Sequence, residues 1–315
     1  MAKKESPNYE MIFPLKNEKS NIFWPVYVNL EKEFTKLSFN IFIDDNQLKT
    51  YSYKISELIL RAAIEIESIS KELYYKEGGK KNDRLTYDDA LKVLDKKWSL
   101  SKKVIKISSE NIHLSKTDFK PFSKILNPRK GKEHYRWNIA YQNIKHDRAK
   151  FIEQANLENL IHILSALFIL NLYYNNEEFE LEEDWTGQTL YTKLNTELFA
   201  VSIHGNKGLN FQNKQNTKEG YEESLYYVVF DDKSKLRLIN AIEDMLRNFK
   251  NQLPNSKDFD KFRDAKNISE LYGNTELSEK IGKARLSKMM EQSSIALFEP
   301  FKNSKCIARI NKNDI

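Results

Sequence analysis

Cysteine is nearly absent from this sequence, and so are the common catalytic motifs. The 315 residues include a single cysteine, Cys306, which excludes an intramolecular disulfide and a zinc site built on a cysteine cluster. The five histidines are spread along the chain without metal-ligand spacing, so neither a metal nor a cofactor is predicted. The patterns GxxxxGK(S/T), GxGxxG, HExxH, CxxC and GxSxG are missing too. The P-loop, dinucleotide-binding, zincin and serine-hydrolase classes thereby lose their main support.

The sequence also lacks a segment typical of membrane insertion. The first residues, MAKKESPNYE, are charged and are followed by no apolar stretch, so they are not a signal peptide. The longest apolar run, residues 157–174, is interrupted by Glu158, Asn159, His162 and Asn171. We interpret it as a buried helix, in which His162 is a core histidine bonded to a neighbour, and not as a membrane span. The sequence therefore predicts a cytoplasmic protein without a membrane partner.

What is present is enough apolar sequence for a sizeable core, together with a moderate positive charge. Hydrophobic residues make up 40% of the chain, which suits one large domain or two ordinary ones. The formal net charge is +6, from 51 basic and 45 acidic residues. This balance permits an anionic partner without demanding one.

The chain divides by composition into three parts. Residues 1–20 are expected to be a flexible amino-terminal tail, and residues 21–176 form a helical unit. The stretch NNEEFELEED holds six acids and no base, and we place a boundary there. Residues 177–315 mix strand-like and helical runs, with strands expected at 198–203, 225–230 and 306–310 and a helix at 234–253. The predicted fold class is mainly α, a helical bundle with a smaller α+β carboxy-terminal region.

Two helices of the bundle carry the residues of interest. Apolar residues at helical spacing predict a long helix over 53–75, with Glu65 at the edge of its apolar face. The stretch 137–151, WNIAYQNIKHDRAKF, is typical of a second amphipathic helix. Arg148 projects toward its apolar face, where an unpaired guanidinium would be costly. We therefore expect the two helices to be in contact and Arg148 to form a structural pair with Glu65.

Positive charge is concentrated around this second helix. Residues 124–150 contain eight Lys or Arg against two acids, a local balance of +6 that equals the charge of the whole chain. His134 and His146 lie in the same window. A basic, aromatic-rich segment with histidines suits a ligand that carries phosphate. A solvated helix face beside a Lys-rich loop would show the same charges.

The helical half resembles a known family. The segments ELILRAAIEIESISKELY, YQNIKHDR and ANLENLIHILSALFIL together resemble the HEPN superfamily of helical bundles, over residues 22–175. The resemblance implies a metal-independent RNase or an RNA-binding protein, possible roles being those of a toxin or a phage-defence component, and two protomers that pair to form one cleft. The usual motif of the family is an Arg one to two helical turns before a His. His146 matches the histidine, whereas Ile139, Ala140 and Tyr141 stand where the Arg would be.

The resemblance and the chemistry of RNA cleavage assign candidate roles. Cleavage without a metal needs a proton acceptor, a proton donor and cations that stabilise the phosphorane. His146 would be the base or the acid, Lys145 or Arg148 the phosphate stabiliser, and Asn143 would orient the imidazole or the substrate. If Arg148 pairs with Glu65, Lys145 takes the phosphate role. Further substrate contacts are expected from Arg136, Lys150 and Lys130.

Three functions remain open at this point. The first is an endoribonuclease, and the second is a noncatalytic HEPN-like bundle that binds nucleic acid or a nucleotide. The third is a protein-interaction subunit that binds a partner through residues 177–315. His146 would then be structural, bonded to Asp147 or to a neighbouring helix. The habit of the family also predicts a homodimer.

Overall fold

The computed structural model describes residues 10–11, 21–127, 130–181, 190–205 and 220–313. The expected tail over 1–20, apart from residues 10–11, lies outside the described residues, as do the last three residues of the acidic stretch predicted as a boundary and residues 206–219 of the polar loop. The fold is mainly α with an α+β region, and 56% of it is helical.

Helices dominate both ends of the described chain. The α-helices are α1 (Trp24–Ser38), α2 (Tyr53–Lys76), α3 (Tyr87–Trp98), α4 (Arg136–His146), α5 (Arg148–Phe151), α6 (Leu157–Asn175), α7 (Asp232–Asn251), α8 (Asp260–Arg263), α9 (Thr275–Ile281) and α10 (Lys283–Lys302). The strands are β1 (Glu10–Met11), β2 (Ile43–Asp44), β3 (Ile105–Ile107), β4 (Ile112–His113), β5 (Asp118–Phe119), β6 (Lys124–Asn127), β7 (Lys132–Tyr135), β8 (Phe179–Glu180), β9 (Leu190–Lys193), β10 (Phe199–His204), β11 (Tyr226–Phe230) and β12 (Cys306–Ile310).

Local sequence signals explain where several helices begin. Pro25 lies in the first turn of α1, where its missing N–H costs no hydrogen bond. The side chains of Ser52, Thr86 and Asn156 cap α2, α3 and α6 by accepting backbone N–H groups of the first turn. The predicted long helix over 53–75 is confirmed as α2. The predicted contact between α2 and the helix that carries His146 is confirmed as well.

A mixed sheet joins the two halves of the chain. Its main path is β1-β9-β10-β11-β12-β8, and β3 pairs with β10 and β5. Strand β10 is antiparallel to β9 and β3 but parallel to β11. The three predicted strands are confirmed as β10, β11 and β12, although β3 and β5 were not predicted because each has only two or three residues. Two smaller pairs, β2-β4 and β6-β7, lie outside this sheet.

The hydrophobic core does not end at the predicted boundary near residue 176. One cluster of buried residues extends from Phe23 to Ile310 and includes Ile105 of β3 and Val201 of β10. The pairing of β3 with β10 places the sheet and the bundle over one core. A second cluster, around Phe249 and Met289, belongs to helices α7 to α10.

Helix α6 is the centre of the larger cluster. By length and composition alone, Leu157–Asn175 could cross a membrane, yet 83% of its apolar window is buried inside the protein. Leu164 and Phe168 are fully buried. The interpretation of this run as a buried helix is confirmed, since its apolar sides face α2 and α1 as well as α4.

Candidate functional site

Three of the predicted site residues, Lys130, Asn143 and His146, line a groove of about 630 Å³ beside α4. Three segments form it: the start of α3, the β6–β7 hairpin and the outer side of α4. The groove is lined by Thr86, Tyr87, Asp88, Asn127, Lys130, His134, Asn138, Ile139, Gln142, Asn143, His146, Asp147 and Phe151. Both histidines of the basic window thus face one groove.

His146 is the last residue of α4 and its side chain is exposed. Among the described residues, its imidazole makes no hydrogen bond and no ion pair, including none with Asp147. The carboxylate of Asp147 instead accepts the backbone N–H of Lys150 at 3.2 Å. The interpretation of His146 as a bonded structural residue therefore finds no support, and the ring is accessible to a ligand in the groove.

His134 approaches the same groove from β7, where it pairs with Ile125 of β6. It is half-buried and lies close to Asp88 at the start of α3. Burial raises the pKa of the Asp88 carboxyl, and the nearby His134 opposes this rise. Sequence reasoning placed His134 in the basic window but gave it no role. Its position became visible only with the hairpin that carries it.

The floor of the groove is held by amide and phenol groups. The hydroxyl of Tyr87 donates to Asn138 Oδ1 at 2.7 Å, and Gln142 Nε2 donates to Tyr87 Oη at 2.9 Å. Asn143 lines the groove, and its Nδ2 donates to Gln154 Oε1 at 2.8 Å. Asn143 is therefore held by the turn after α5 and does not orient the imidazole of His146.

Lys145 was predicted as a phosphate stabiliser, but its ammonium group turns toward α2. Its Nζ donates to Tyr141 Oη at 3.0 Å, and that hydroxyl donates to Glu67 Oε1 at 2.9 Å. The hydrogen bond with Tyr141 is the largest cause that raises the pKa of Lys145. Lys145 does not line the groove. A carboxylate of α2 does meet α4, but it is Glu67 and its partners are Tyr141 and Lys145.

The predicted pair of Arg148 with Glu65 is wrong. The predicted single helix over 137–151 ends at His146, and Arg148 begins the short helix α5 with an exposed side chain. The backbone of Asp147 leaves the helical region, with φ −152° and ψ 73°, so the apolar arc drawn for one helix does not continue to Arg148. Glu65 is half-buried, burial raises its pKa, and among the described residues the charge that opposes this rise is that of Arg61, not Arg148.

The three predicted substrate-binding bases are separated by the fold. Lys130 lines the groove from the turn between β6 and β7, whereas Lys150 is exposed on α5 with its Nζ 5.5 Å from the ring centre of Phe151. Arg136 begins α4, at the opposite end from His146, and its Nη1 lies 2.8 Å from Glu158 Oε1. Arg136 therefore belongs to a different cavity.

That second cavity is the larger one, at about 960 Å³, and sequence reasoning missed it. Arg136, Glu158 and His162 line one side, and residues of β10 and of the turn at 220–224 line another. Glu158 and His162 lie one helical turn apart on α6, a spacing that places them on one face. That spacing was the available signal, but the wall opposite comes from distant strands.

Comparisons with known proteins give no relative to set beside this geometry. No protein-family model, no curated protein and no solved structure matches the chain. Within the described ranges, no group of three or more His, Cys, Asp or Glu side chains could hold a metal ion.

Proposed function

We propose that this protein is a metal-independent endoribonuclease of the HEPN-like type, and that it binds RNA in the groove between α3, the β6–β7 hairpin and α4. The observation that carries the proposal is that His134 and His146 reach one groove from two separate elements. Two imidazoles on either side of a bound phosphate supply the acid and the base that RNA cleavage needs.

The reaction follows from these groups. One imidazole takes the proton of a ribose 2′-hydroxyl while its oxygen attacks the adjacent phosphorus. The other imidazole gives a proton to the departing 5′-oxygen. The products are a 2′,3′-cyclic phosphate and a free 5′-hydroxyl. Among the described residues that line the groove, Lys130 is the one with a cationic side chain, and we assign it the stabilisation of the charge that develops on the phosphorane.

The surface next to the groove supports binding to an extended polyanion. Residues 147–150 are all exposed and include Arg148 and Lys150. Exposed bases beside a catalytic groove would hold the flanking phosphates of a longer RNA. Arg148 and Lys150 therefore keep a role in substrate binding, but outside the groove.

The decisive experiment is incubation of the purified protein with mixed RNAs in EDTA. We expect cleavage by the wild type, and loss of cleavage in His134→Ala and in His146→Ala. His113→Ala is the matched control, because His113 lies outside the groove and stacks on Phe42. Wild-type protein that leaves all RNAs intact, or groove variants that cleave at the wild-type rate, would refute the proposal. Salt-sensitive binding without turnover would instead favour the noncatalytic bundle.

The proposal extends to the setting in which the protein acts. A cytoplasmic RNase without an inhibitor would degrade cellular RNA, as a toxin or a phage-defence effector does. Expression of the wild type should then arrest growth, while expression of His146→Ala should not. Equal growth of both strains at equal protein levels would argue against this setting.

Pairing of two protomers remains part of the proposal. Two copies that meet through the exposed end of α4 would bring together six bases, Lys145, Arg148 and Lys150 of each copy, against two acids, Asp147 of each copy. Repulsion between these bases opposes the contact unless a phosphate chain offsets it. We therefore expect a C2 dimer that forms in the presence of RNA. A monomer in light scattering at high protein and RNA concentrations would contradict it.

A second candidate function is that of a protein-interaction subunit. Helices α7 and α10 pack together, yet they expose large apolar side chains, namely Leu236, Ile239, Ile295, Phe298 and Phe301. Such a surface is typical of an interface with another protein. A partner that co-purifies with the wild type and with His146→Ala, but not with an Ile295→Ser, Phe298→Ser variant, would favour this function.

A further inference from the structure

The larger cavity is a built site that the RNA groove does not use. Its volume of about 960 Å³ lies within the range of small-molecule sites. Leu48, Leu114 and Phe119 give it an apolar side, and Arg136 with His162 gives it a polar one. Arg136 and His146 stand at opposite ends of α4, so the two sites are separate.

The imidazole of His162 is the central polar group of the cavity. Its ring packs edge-on against Phe119, with 5.2 Å between ring centres. Within the part of the chain that the structure describes, the buried Nδ1 atom has no hydrogen-bond partner. The expected bond to a neighbour is therefore absent there, and a buried polar atom without a partner is costly. Burial, with the nearby Arg136 and Lys116, lowers the pKa of His162 to about 4 and is opposed by Glu158.

The charges around His162 leave a positive excess. The carboxylate of Glu158 is shared by two cations, Arg136 at 2.8 Å and Lys49 at 2.5 Å. Lys116 lines the cavity as well, and it has no ion pair among the described residues. Glu158 offsets only one of these three bases. An anion in the cavity would therefore be attracted to this side.

The other charged side chains that line the cavity are two bases and three acids, so together they carry one excess negative charge. Lys120 pairs with Glu223 at 2.6 Å, and Lys106 lies 4.0 Å from Asp118. Asp45 accepts the backbone N–H of Ser115 at 3.1 Å. These groups define the remaining walls without adding a second positive centre. The positive charge is therefore confined to the side with Arg136 and Lys116, next to the His162 imidazole, which its low pKa keeps neutral near pH 7.

We propose that this cavity binds a small phosphomonoester with an apolar or aromatic body, the class that includes nucleoside monophosphates. The phosphate lies against Arg136, Lys116 and the His162 imidazole, and the body of the ligand lies against Leu114 and Phe119. A guanidinium and an ammonium group together match the charge of a phosphate dianion. The site does not depend on RNA cleavage in the other groove.

The test uses the full chain with AMP, inorganic phosphate and adenosine as probes. NMR follows the imidazole signals of the five histidines during each titration. We expect AMP to shift the His162 signal and to raise its pKa, because a nearby phosphate stabilises the imidazolium. Inorganic phosphate should give the same shift at higher concentration, and adenosine should give none.

Substitutions of the cavity residues test where the phosphate of AMP binds. Lys116→Met should weaken AMP binding by about tenfold, and its exposed position makes the fold insensitive to the change. Arg136→Met should weaken binding at least as much, and Lys49 remains to pair with Glu158. Lys130→Met, in the RNA groove, is the matched control and should bind AMP as the wild type does.

Three outcomes would overturn the inference. They are an unshifted His162 signal with AMP at millimolar concentration, a shift of His146 in place of His162, and unchanged affinity in both Lys116→Met and Arg136→Met. Binding of adenosine as tight as that of AMP would also overturn it, because the phosphate would then contribute nothing. Each of these results is independent of whether the protein cleaves RNA.

Discussion

The carboxylate of Asp147 accepts the backbone N–H of Lys150 at 3.2 Å, and this contact caps α5 directly after α4 ends. Because the cap stabilises the break between the two helices, Asp147→Ala should lower the free energy of unfolding by about 0.5–2 kcal/mol. Lys150→Ala keeps the backbone amide and should change stability little. Urea unfolding measures both. Equal losses in the two variants would show that the Lys150 side chain, and not the cap, is responsible.

A buried carboxylate holds α1 to the turn before β10. Glu31 Oε1 accepts hydrogen bonds from the hydroxyls of Tyr27 and Thr196 and from the backbone N–H groups of Glu197 and Leu198. Glu31→Ala leaves the backbone N–H groups of Glu197 and Leu198 without this acceptor, while the hydroxyls of Tyr27 and Thr196 keep only each other at 3.0 Å, and we expect a loss of roughly 2–5 kcal/mol in unfolding free energy. Glu31→Gln keeps an acceptor oxygen and should lose clearly less. A Glu31→Ala protein as stable as the wild type would contradict this role.

The same residue gives a stability difference that depends on pH. Burial, as the largest cause, raises the pKa of Glu31 above its ordinary value, although the hydrogen bonds from Thr196 and the backbone oppose the rise. The folded state therefore holds the proton more tightly than the unfolded state. This contribution is fully present below the ordinary carboxyl pKa and is lost as pH rises through the folded pKa. Wild-type stability relative to Glu31→Gln should thus fall as pH rises above the ordinary carboxyl pKa of about 4.3.

The effects of substituting the two groove histidines on the cleavage rate should not be additive. If His134 and His146 are the acid and the base, each alanine variant should lower the rate by about 10²–10⁴-fold. The double variant should lose little more than the worse single variant, because removal of either partner already disables the proton transfer. Single-turnover rates in EDTA measure this. Independent, multiplicative losses would mean that the two residues act in separate steps.

Lys130 should contribute to RNA affinity, whereas Lys145 should contribute little. Lys130 lines the groove, whereas Lys145 bonds to Tyr141 at 3.0 Å. Lys130→Met should weaken binding and reduce the slope of log K against log salt by about one. Tyr141→Phe removes the link to Glu67 and should lower stability by about 0.5–1.5 kcal/mol with little change in RNA affinity. If Lys130→Met left RNA binding unchanged and Tyr141→Phe altered it, Lys145 would regain the phosphate-stabilising role that the sequence predicted for it.

Local signals in the sequence predicted much of the fold. The apolar period of residues 53–75 depends on neighbours within a turn or two of the chain, and it predicted helix α2. The strand at Cys306–Ile310 was also visible, since its β-type run stands alone. These predictions are confirmed because they depend on interactions between neighbouring residues, which are the same in the folded protein.

The missed features depend on distant segments. Strand β3 forms through pairing of Ile105 with Val201, and the sequence around Ile105 does not predict this pairing. The apolar spacing of residues 137–151 continues past Asp147 and therefore predicted one helix. The helix breaks there because the Asp147 side chain caps a new helix. His134 and His162 became site candidates only in the structure. The β6–β7 hairpin carries His134 into the groove, and strands of the sheet form the cavity wall opposite His162. Helical periodicity places a residue on a face but does not show what covers that face.

Lys103 gives a last prediction, from a lysine that is fully buried. Its side chain has 0% relative exposure, and Nζ donates to the backbone carbonyl of Ser224 at 3.0 Å. Burial lowers the pKa of Lys103 to about 7, well below the ordinary lysine value of about 10.4. The folded state thus binds this proton less tightly than the unfolded state does, and the contribution of Lys103 to stability is lost as pH falls toward the folded pKa.

Lys103→Met should therefore stabilise the protein near neutral pH, by up to about 3 kcal/mol. The Ser224 carbonyl keeps a partner, because Asn311 Nδ2 also donates to it at 3.1 Å. The gain should shrink as pH rises from about 7 through the ordinary lysine pKa of about 10.4, because above that pH the wild-type lysine is neutral in both states. Lys102→Met is the matched control, since its exposed ammonium group pairs with Glu222 at 2.5 Å and should matter by less than about 1 kcal/mol. Chemical unfolding across this pH range measures the difference, and a gain independent of pH would show that packing, not charge burial, makes Lys103 unfavourable.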